Sequence, residues 1–303
     1  MLHGASWTKL FRDLWREIGD DHVFNGAAAI GYFLTLAMFP ALVLMLTVVP
    51  YLPIHRVDQA IMDLLRQVLP AKAGGLVSQI VHSVTAHPNG GLLSFSALAT
   101  LWAASSGMYA IMQQLNVAYD VKEERSFMRA RALAVALSIL FGVLVLGALS
   151  LVVLGGVIQD WLGSHWGFSG VLLTFFAALR WVIIIAALLL GFALTYKLGP
   201  NAKQDFKFLT IGSALGVALL IAASLAFAFY TGHFTAYNAT YGSLGAVVIL
   251  MLWLYIAGFV LLVGAEVNAL VEQYAGEPAS DANERASRRR GLSALWPAGP
   301  HRQ

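Results

Sequence analysis

Six separate stretches of this chain run for more than 20 residues with almost no charged side chain. They cover 24–49, 92–115, 132–158, 171–196, 209–230 and 243–265, and Arg180 is the only ionisable Lys, Arg, Asp or Glu inside them. A helix needs about 20 mostly apolar residues to cross the hydrocarbon of a bilayer. Charged residues make up 12% of the whole chain, about half the roughly 25% usual in soluble proteins. Too few charges remain to cover the outside of a water-soluble globule of this size. The expected fold is therefore all-α: a polytopic bundle of six transmembrane helices.

Lys and Arg orient the bundle, because they gather in the short loops on the cytoplasmic side. Lys9, Arg12 and Arg16 precede the first span, and Lys122, Arg125, Arg129 and Arg131 follow the second. Lys197, Lys203 and Lys207 follow the fourth, and Arg285, Arg288, Arg289, Arg290 and Arg302 follow the sixth. The opposite side has Arg56, Arg66 and Lys72. Fifteen against three places both termini on the cytoplasmic side. The first residues lack an apolar run with a cleavage site, so the first span is expected to direct insertion itself.

Two segments outside the spans have helical periodicity. Trp7, Leu10, Phe11, Leu14, Trp15 and Ile18 share one face, which predicts an interfacial amphipathic helix. Val57, Ile61, Leu64, Leu65 and Val68 form a second stripe and Leu76, Ile80 and Val84 a third, on either side of Pro70 and Gly74-Gly75. They predict two short helices on the outer face. One transmembrane domain is expected over 1–275. The Pro-, Ser- and Arg-rich stretch 276–303 reads as a disordered cytoplasmic tail.

Arg180 lies about ten residues into its span, near the bilayer midplane. An Arg there costs about 2.5–3.5 kcal/mol or more and has to face the interior. Glu266 falls roughly 15–20 Å away in depth, too far for an ion pair. The partners of Arg180 are then backbone carbonyls, the hydroxyls of Ser105 or Ser106, water, or the acidic head of a ligand. The functional expectation is the last: an anionic substrate group held by Arg180, with Tyr32, Thr35, Ser105 and Ser106 as further polar contacts. Pro40 is expected to kink the first helix. Ala27 and Gly31, then Ala37 and Ala41, have the small-residue spacing of close helix pairs. Tyr237, Asn238, Tyr241 and Gly242, ahead of the last span, suit an outer gate. Glu266 and Asn268 read as structural residues at the cytoplasmic interface.

The sequence has no cysteine, and its eight His form no i, i+4 pair. No phosphate loop and no nucleophile elbow is present. Neither a metal nor a cofactor is expected, no nucleic acid either, and no enzymatic activity.

Four stretches carry a resemblance: AAAIGYFLTLAMFP at 27–40, LNVAYDVKEERSFMRAR at 115–131, YKLGPNA at 196–202, and FTAYNATYGSLGAVVILMLWLYIAGFVLLVGAEVNA at 234–269. With them the chain resembles the YihY/BrkB family of bacterial inner-membrane proteins. Ala37-Met38 and Gly199-Pro200-Asn201 depart from that family's common Ser-Leu and Leu-Pro-Asn. The resemblance implies six helices and an inner-membrane location. Members of the family have been labelled ribonucleases, virulence factors and exporters or flippases of envelope lipids. The short loops here hold no clustered site for a nuclease.

Two functions follow as expectations. The first is a transporter or flippase for an anionic envelope component such as a lipid, with membrane lipids as its surroundings. The second is a non-transporting scaffold in envelope biogenesis that recruits partners through 116–131 and the Arg-rich tail. Topology is directly testable: reporter fusions at Gly74 and at Glu124 should give opposite signals, and equal signals would overturn the orientation.

Overall fold

The computed structural model describes residues 7–48, 90–166, 170–202, 209–233 and 243–276, and all regular structure among them is helical. In chain order the helices are α1 (Trp7–Asp20), α2 (Val23–Val48), α3 (Gly90–Ala118), α4 (Phe127–Trp166), α5 (Gly170–Leu198), α6 (Ile211–His233) and α7 (Ser243–Gly276). Six of them, α2 through α7, are long and apolar enough to cross a membrane. The six-span all-α architecture expected from the sequence is thus what the chain builds. The two outer-face helices, the gate residues Tyr237, Asn238, Tyr241 and Gly242, and the tail beyond Gly276 lie outside the described residues.

Three boundaries differ from expectation by five residues or more. One is the far end of α4, which runs to Trp166 and not to 158, and the other two share one reason. α4 begins at Phe127, not at 132, with the Ala130 N–H bonded to the Ser126 carbonyl at 3.0 Å. α7 continues past Ala265 to Gly276. At about 1.5 Å per residue the 34 residues of α7 outrun a hydrocarbon core of about 30 Å. Helices that emerge from lipid can carry charge, so the apolar run ends before the helix does. Arg131 is consequently a helix residue, and Glu266 and Asn268 stand on the extension of α7.

Other ends are set by local chemistry. α6 starts on a reciprocal cap: the Ser213 N–H donates to Thr210 Oγ1 at 3.0 Å, and the Thr210 N–H donates to Ser213 Oγ at 2.9 Å. α2 runs unbroken through Pro40. Proline has no N–H, so the helical bond to the Leu36 carbonyl is missing there.

Consecutive helices pack side by side from α2 to α7, α7 returns to α2, and α3 also touches α7. The six therefore form a closed ring with α1 laid against α7 and α2. Close approach at the α2–α7 seam depends on the small residues noted in the sequence. Ala27 is fully buried, and a side chain at Gly31 would meet the Tyr255 backbone at 3.1 Å. At the α6–α7 seam, a Cβ on Gly212 would collide with the Gly264 carbonyl.

The two halves of the ring are packed differently. At the end bearing the 119–126 turn and both terminal helices, Met108, Met112, Leu115, Phe192, Tyr196 and Leu262 join one buried core, and Val267 is buried as well. In the other half, Val171, Phe175, Phe176, Trp181 and Val182 of α5 are exposed. That surface suits lipid, where apolar side chains need no cover.

Candidate functional site

Two polar features stand out of this apolar ring: a clasp of side chains at the charged end, and Arg180 in the loosely packed half.

The clasp starts where α3 stops. Asp120 takes a left-handed φ of 53°, a conformation more often given to Gly. The Val121 N–H reaches the Asn116 carbonyl at 2.9 Å and the Asp120 N–H reaches the Val117 carbonyl at 3.0 Å. These two bonds make a Schellman turn, which folds the chain back over the last turn of α3. Glu123 is thereby brought to Asn116, whose Nδ2 donates to Oε2 at 2.9 Å. Arg125 holds the same carboxylate in a fork, with Nε on Oε1 and Nη2 on Oε2, both at 2.7 Å. Its backbone N–H adds a third bond at 3.0 Å.

The other side of Arg125 reaches a different part of the chain. It donates to the carbonyls of Leu198 at 3.3 Å and Gly199 at 2.8 Å. These carbonyls lie where α5 ends and has no helical donors left to offer them. Asn201 completes the join: its N–H donates to Asn116 Oδ1 at 2.7 Å, and its Nδ2 donates to the Lys122 carbonyl at 3.0 Å. A side chain on Gly199 would strike Leu115 and the Thr195 carbonyl, so the close approach requires glycine. The 115–131 and 196–202 motifs are in this way two halves of one hydrogen-bonded unit. The forked bond from Arg125 is the main cause that pulls the Glu123 carboxyl down to about 2, and Asn116 assists.

α7 is tied to the same end. Asn268 Oδ1 accepts the Gly212 N–H at 3.2 Å, and Nδ2 donates to the Tyr119 hydroxyl at 3.2 Å. The Tyr196 hydroxyl donates to the Leu261 carbonyl at 2.7 Å. Glu266 is buried one turn along. α1 closes over this end, with Leu10 and Ile18 buried and Phe11 and Trp15 facing outward. The Tyr274 hydroxyl donates to Asp13, and Lys9 lies over the Tyr274 ring.

Arg180 is half-buried on the α5 stripe that carries Ile184 and Gly191 inward. Its Nε is closed off from solvent and meets no acceptor among the described residues. No ion pair joins it to Glu266 among them. The four residues expected around it are placed otherwise. Tyr32 is 53% exposed, in line with Leu36 and Phe39 on the outer face of α2. Thr35 is buried with its hydroxyl on the Gly31 carbonyl at 2.7 Å, and Ser105 is buried with its hydroxyl on the Trp102 carbonyl at 2.9 Å. Ser106 bonds the same carbonyl and accepts from Arg131 at 3.0 Å. A hydroxyl in a helix always has a carbonyl one turn back within reach, which is where three of these went. Among the described residues none of the four hydrogen-bonds to Arg180, and α5 packs chiefly on α4 and α6.

Sequence reasoning missed Asn116, Glu123, Arg125 and Asn201 as individual actors. The available signal was an Asn at the end of an apolar helix, followed seven residues later by Glu and then Arg. Arg131 was counted as a loop charge, although it lies as close to an apolar run as a helical Arg can.

The family described as virulence factor BrkB matches residues 14–289. A Bacillus subtilis relative that carries the name ribonuclease-like protein YfkH is 39% identical over 247 residues, 82% of this chain and 89% of that one. A UPF0761 membrane protein of Alkalilimnicola ehrlichii is 27% identical over 282 residues, 90% of this chain and 61% of the relative. Another, from Tolumonas auensis, is 26% identical over 269 residues, 86% of this chain and 84% of that protein. No solved structure matches the chain.

The clasp makes stability depend on pH in a defined direction. The Glu123 carboxyl is depressed from 4.5 to about 2, so its contribution is complete above pH 4.5 and is lost as pH falls toward 2. Glu123→Gln should lower stability by about 1.5–3 kcal/mol at pH 7, the usual worth of hydrogen bonds to a charged group. It should also flatten the acid limb of the melting temperature in detergent below pH 4.5. An unchanged acid limb would show that the carboxylate is not held.

Proposed function

The chain belongs to the virulence factor BrkB family of membrane proteins, and from that premise we propose that it is a transporter of the flippase or exporter kind. Its cargo is an anionic component of the bacterial envelope such as a lipid. On this reading it sits in the inner membrane with both termini in the cytoplasm, which the distribution of Lys and Arg supports.

Arg180 is the observation that carries this reading. A guanidinium in a lipid-crossing helix, with a shielded Nε and no acceptor among the described residues, is expensive unless an anion or water offsets it. It lies on the inward stripe of α5, in the half of the ring where packing is loose. The opposite end is closed by the clasp and by α1. An anionic headgroup could enter the loose half, meet Arg180 and be stopped by the closed end. The planar fork of Arg suits phosphate or carboxylate oxygens better than an ammonium does. The scaffold reading is weaker, because Asn116, Glu123 and Arg125 spend their polar atoms inside the protein.

Proteoliposomes loaded with fluorescent phosphatidylglycerol provide the test. Arg180→Gln should insert and melt like the parent yet lower flux about tenfold or more, the equivalent of one lost charge-assisted contact. Arg180→Lys should retain part of it. If Arg180→Gln moves lipid as the parent does, the residue is structural and the transport reading fails.

A further inference from the structure

A second cation borders the membrane-crossing part of the ring, on its outer face, and the proposed transport role makes no use of it. Arg131 stands one turn inside α4 and reaches across to α3. Its guanidinium carbon is 4.2 Å from the centre of the Trp102 ring. Nη2 donates to the Trp102 carbonyl and to Ser106 Oγ, each at 3.0 Å. Those acceptors are overcommitted. The Trp102 carbonyl also receives the hydroxyls of Ser105 and Ser106, both at 2.9 Å, yet a carbonyl oxygen has only two lone pairs. Arg131 Nε is shielded from solvent and meets no acceptor among the described residues. No carboxylate pairs with Arg131 among them either, so no described acid offsets its positive charge at the α3–α4 seam.

The surroundings say what kind of counter-ion fits. Trp102 is 67% exposed although one face carries the guanidinium, and Phe127 and Met128 beside the start of α4 are exposed too. Aromatic rings at a helix end mark the headgroup level of a bilayer. Phe127 packs edge-on against Tyr109, so α3 continues past the start of α4 by the turns that form the clasp. The charge-free run of α4 begins at Ala132, directly after Arg131. The start of α4, and Arg131 with it, therefore lies near the membrane surface on the clasp side. The lipid-crossing part of α3 ends near that level, short of the end of its apolar run. Along α3 away from that surface, Phe95 and Leu98 continue the exposed stripe of Trp102 toward the bilayer centre. One headgroup-level cation with free donor capacity, above an apolar track, matches a phosphodiester with acyl chains below it.

We propose that the α3–α4 seam at Arg131, Trp102 and Ser106 binds the phosphate of an acidic phospholipid from the leaflet on the clasp side. Arg131 supplies the charge and the planar donors. Trp102 holds the guanidinium flat by a cation–π contact, and Ser106 fixes its orientation. The site lies on the outside of the ring and does not rest on the Arg180 reading: either can fail alone.

The test uses the full chain in nanodiscs of phosphatidylcholine with a minor fraction of phosphatidylglycerol. The lipid that stays bound is counted by native mass spectrometry after extraction. The parent should retain phosphatidylglycerol in preference to phosphatidylcholine. Arg131→Gln should lower that retention by about fivefold or more, with phosphatidylcholine retention unchanged, and Arg131→Lys should fall between. A second measurement covers the case of a poorly folding variant. The parent alone should melt higher in phosphatidylglycerol than in phosphatidylcholine, and millimolar inorganic phosphate should not reproduce that gain. Equal retention of the two lipids by the parent, full retention by Arg131→Gln, or an equal gain from inorganic phosphate would each overturn the proposal.

Discussion

A polar group placed out of reach of water must find its partner inside the protein, and the charged end of this ring is arranged around that requirement. α3 and α5 both end there, each with unpaired carbonyls. A short turn carrying Glu123 and Arg125 meets the need with one ion pair whose spare hydrogens cap α5. Asn116 serves as donor on one side and acceptor on the other, toward Glu123 and toward Asn201. With these bonds made, the helices can approach closely enough for glycines 199, 212 and 264 to be needed at the contacts. The buried core of the protein collects at this end for the same reason.

The opposite half obeys a different rule. Lipid solvates apolar side chains without cost, so no hydrophobic force draws those helix surfaces together. Exposed Phe and Val on α5 are stable there. The ring is consequently firm at one end and weakly packed at the other. On the proposed transport reading, the cargo enters the weakly packed half and the clasped half stays as it is. Arg180 and Arg131, whose Nε atoms meet no acceptor among the described residues, fall on either side of this division. Arg180 faces inward in the loose half, and Arg131 faces outward near the clasp.

Length and hydropathy made the six spans legible, since nothing shorter crosses a bilayer. The same measure misplaced both ends of α4 and the end of α7, because a helix leaving lipid keeps its backbone bonds while its side chains turn polar. Small-residue spacing pointed to Gly31 and Ala27 correctly, since close approach depends on size alone. The clasp was not legible: the Asn201–Asn116 bond joins residues 85 apart, and no local period reveals it. The resemblance to a family marked both segments as characteristic without saying that they touch. Thr35, Ser105 and Ser106 were expected around Arg180 because they are polar. Within a helix a hydroxyl has a carbonyl at hand, so polarity alone does not aim it at a neighbour.

The account stands on the clasp acting as one unit across two turns. A double-mutant cycle with Asn116→Ala and Arg125→Ala measures this directly, by reversible unfolding of the protein in mild detergent. Both residues bind the Glu123 carboxylate, so their effects should couple by about 1 kcal/mol or more. Effects that add within about 0.5 kcal/mol would mean that the residues act independently, and the charged end would then be held by packing alone.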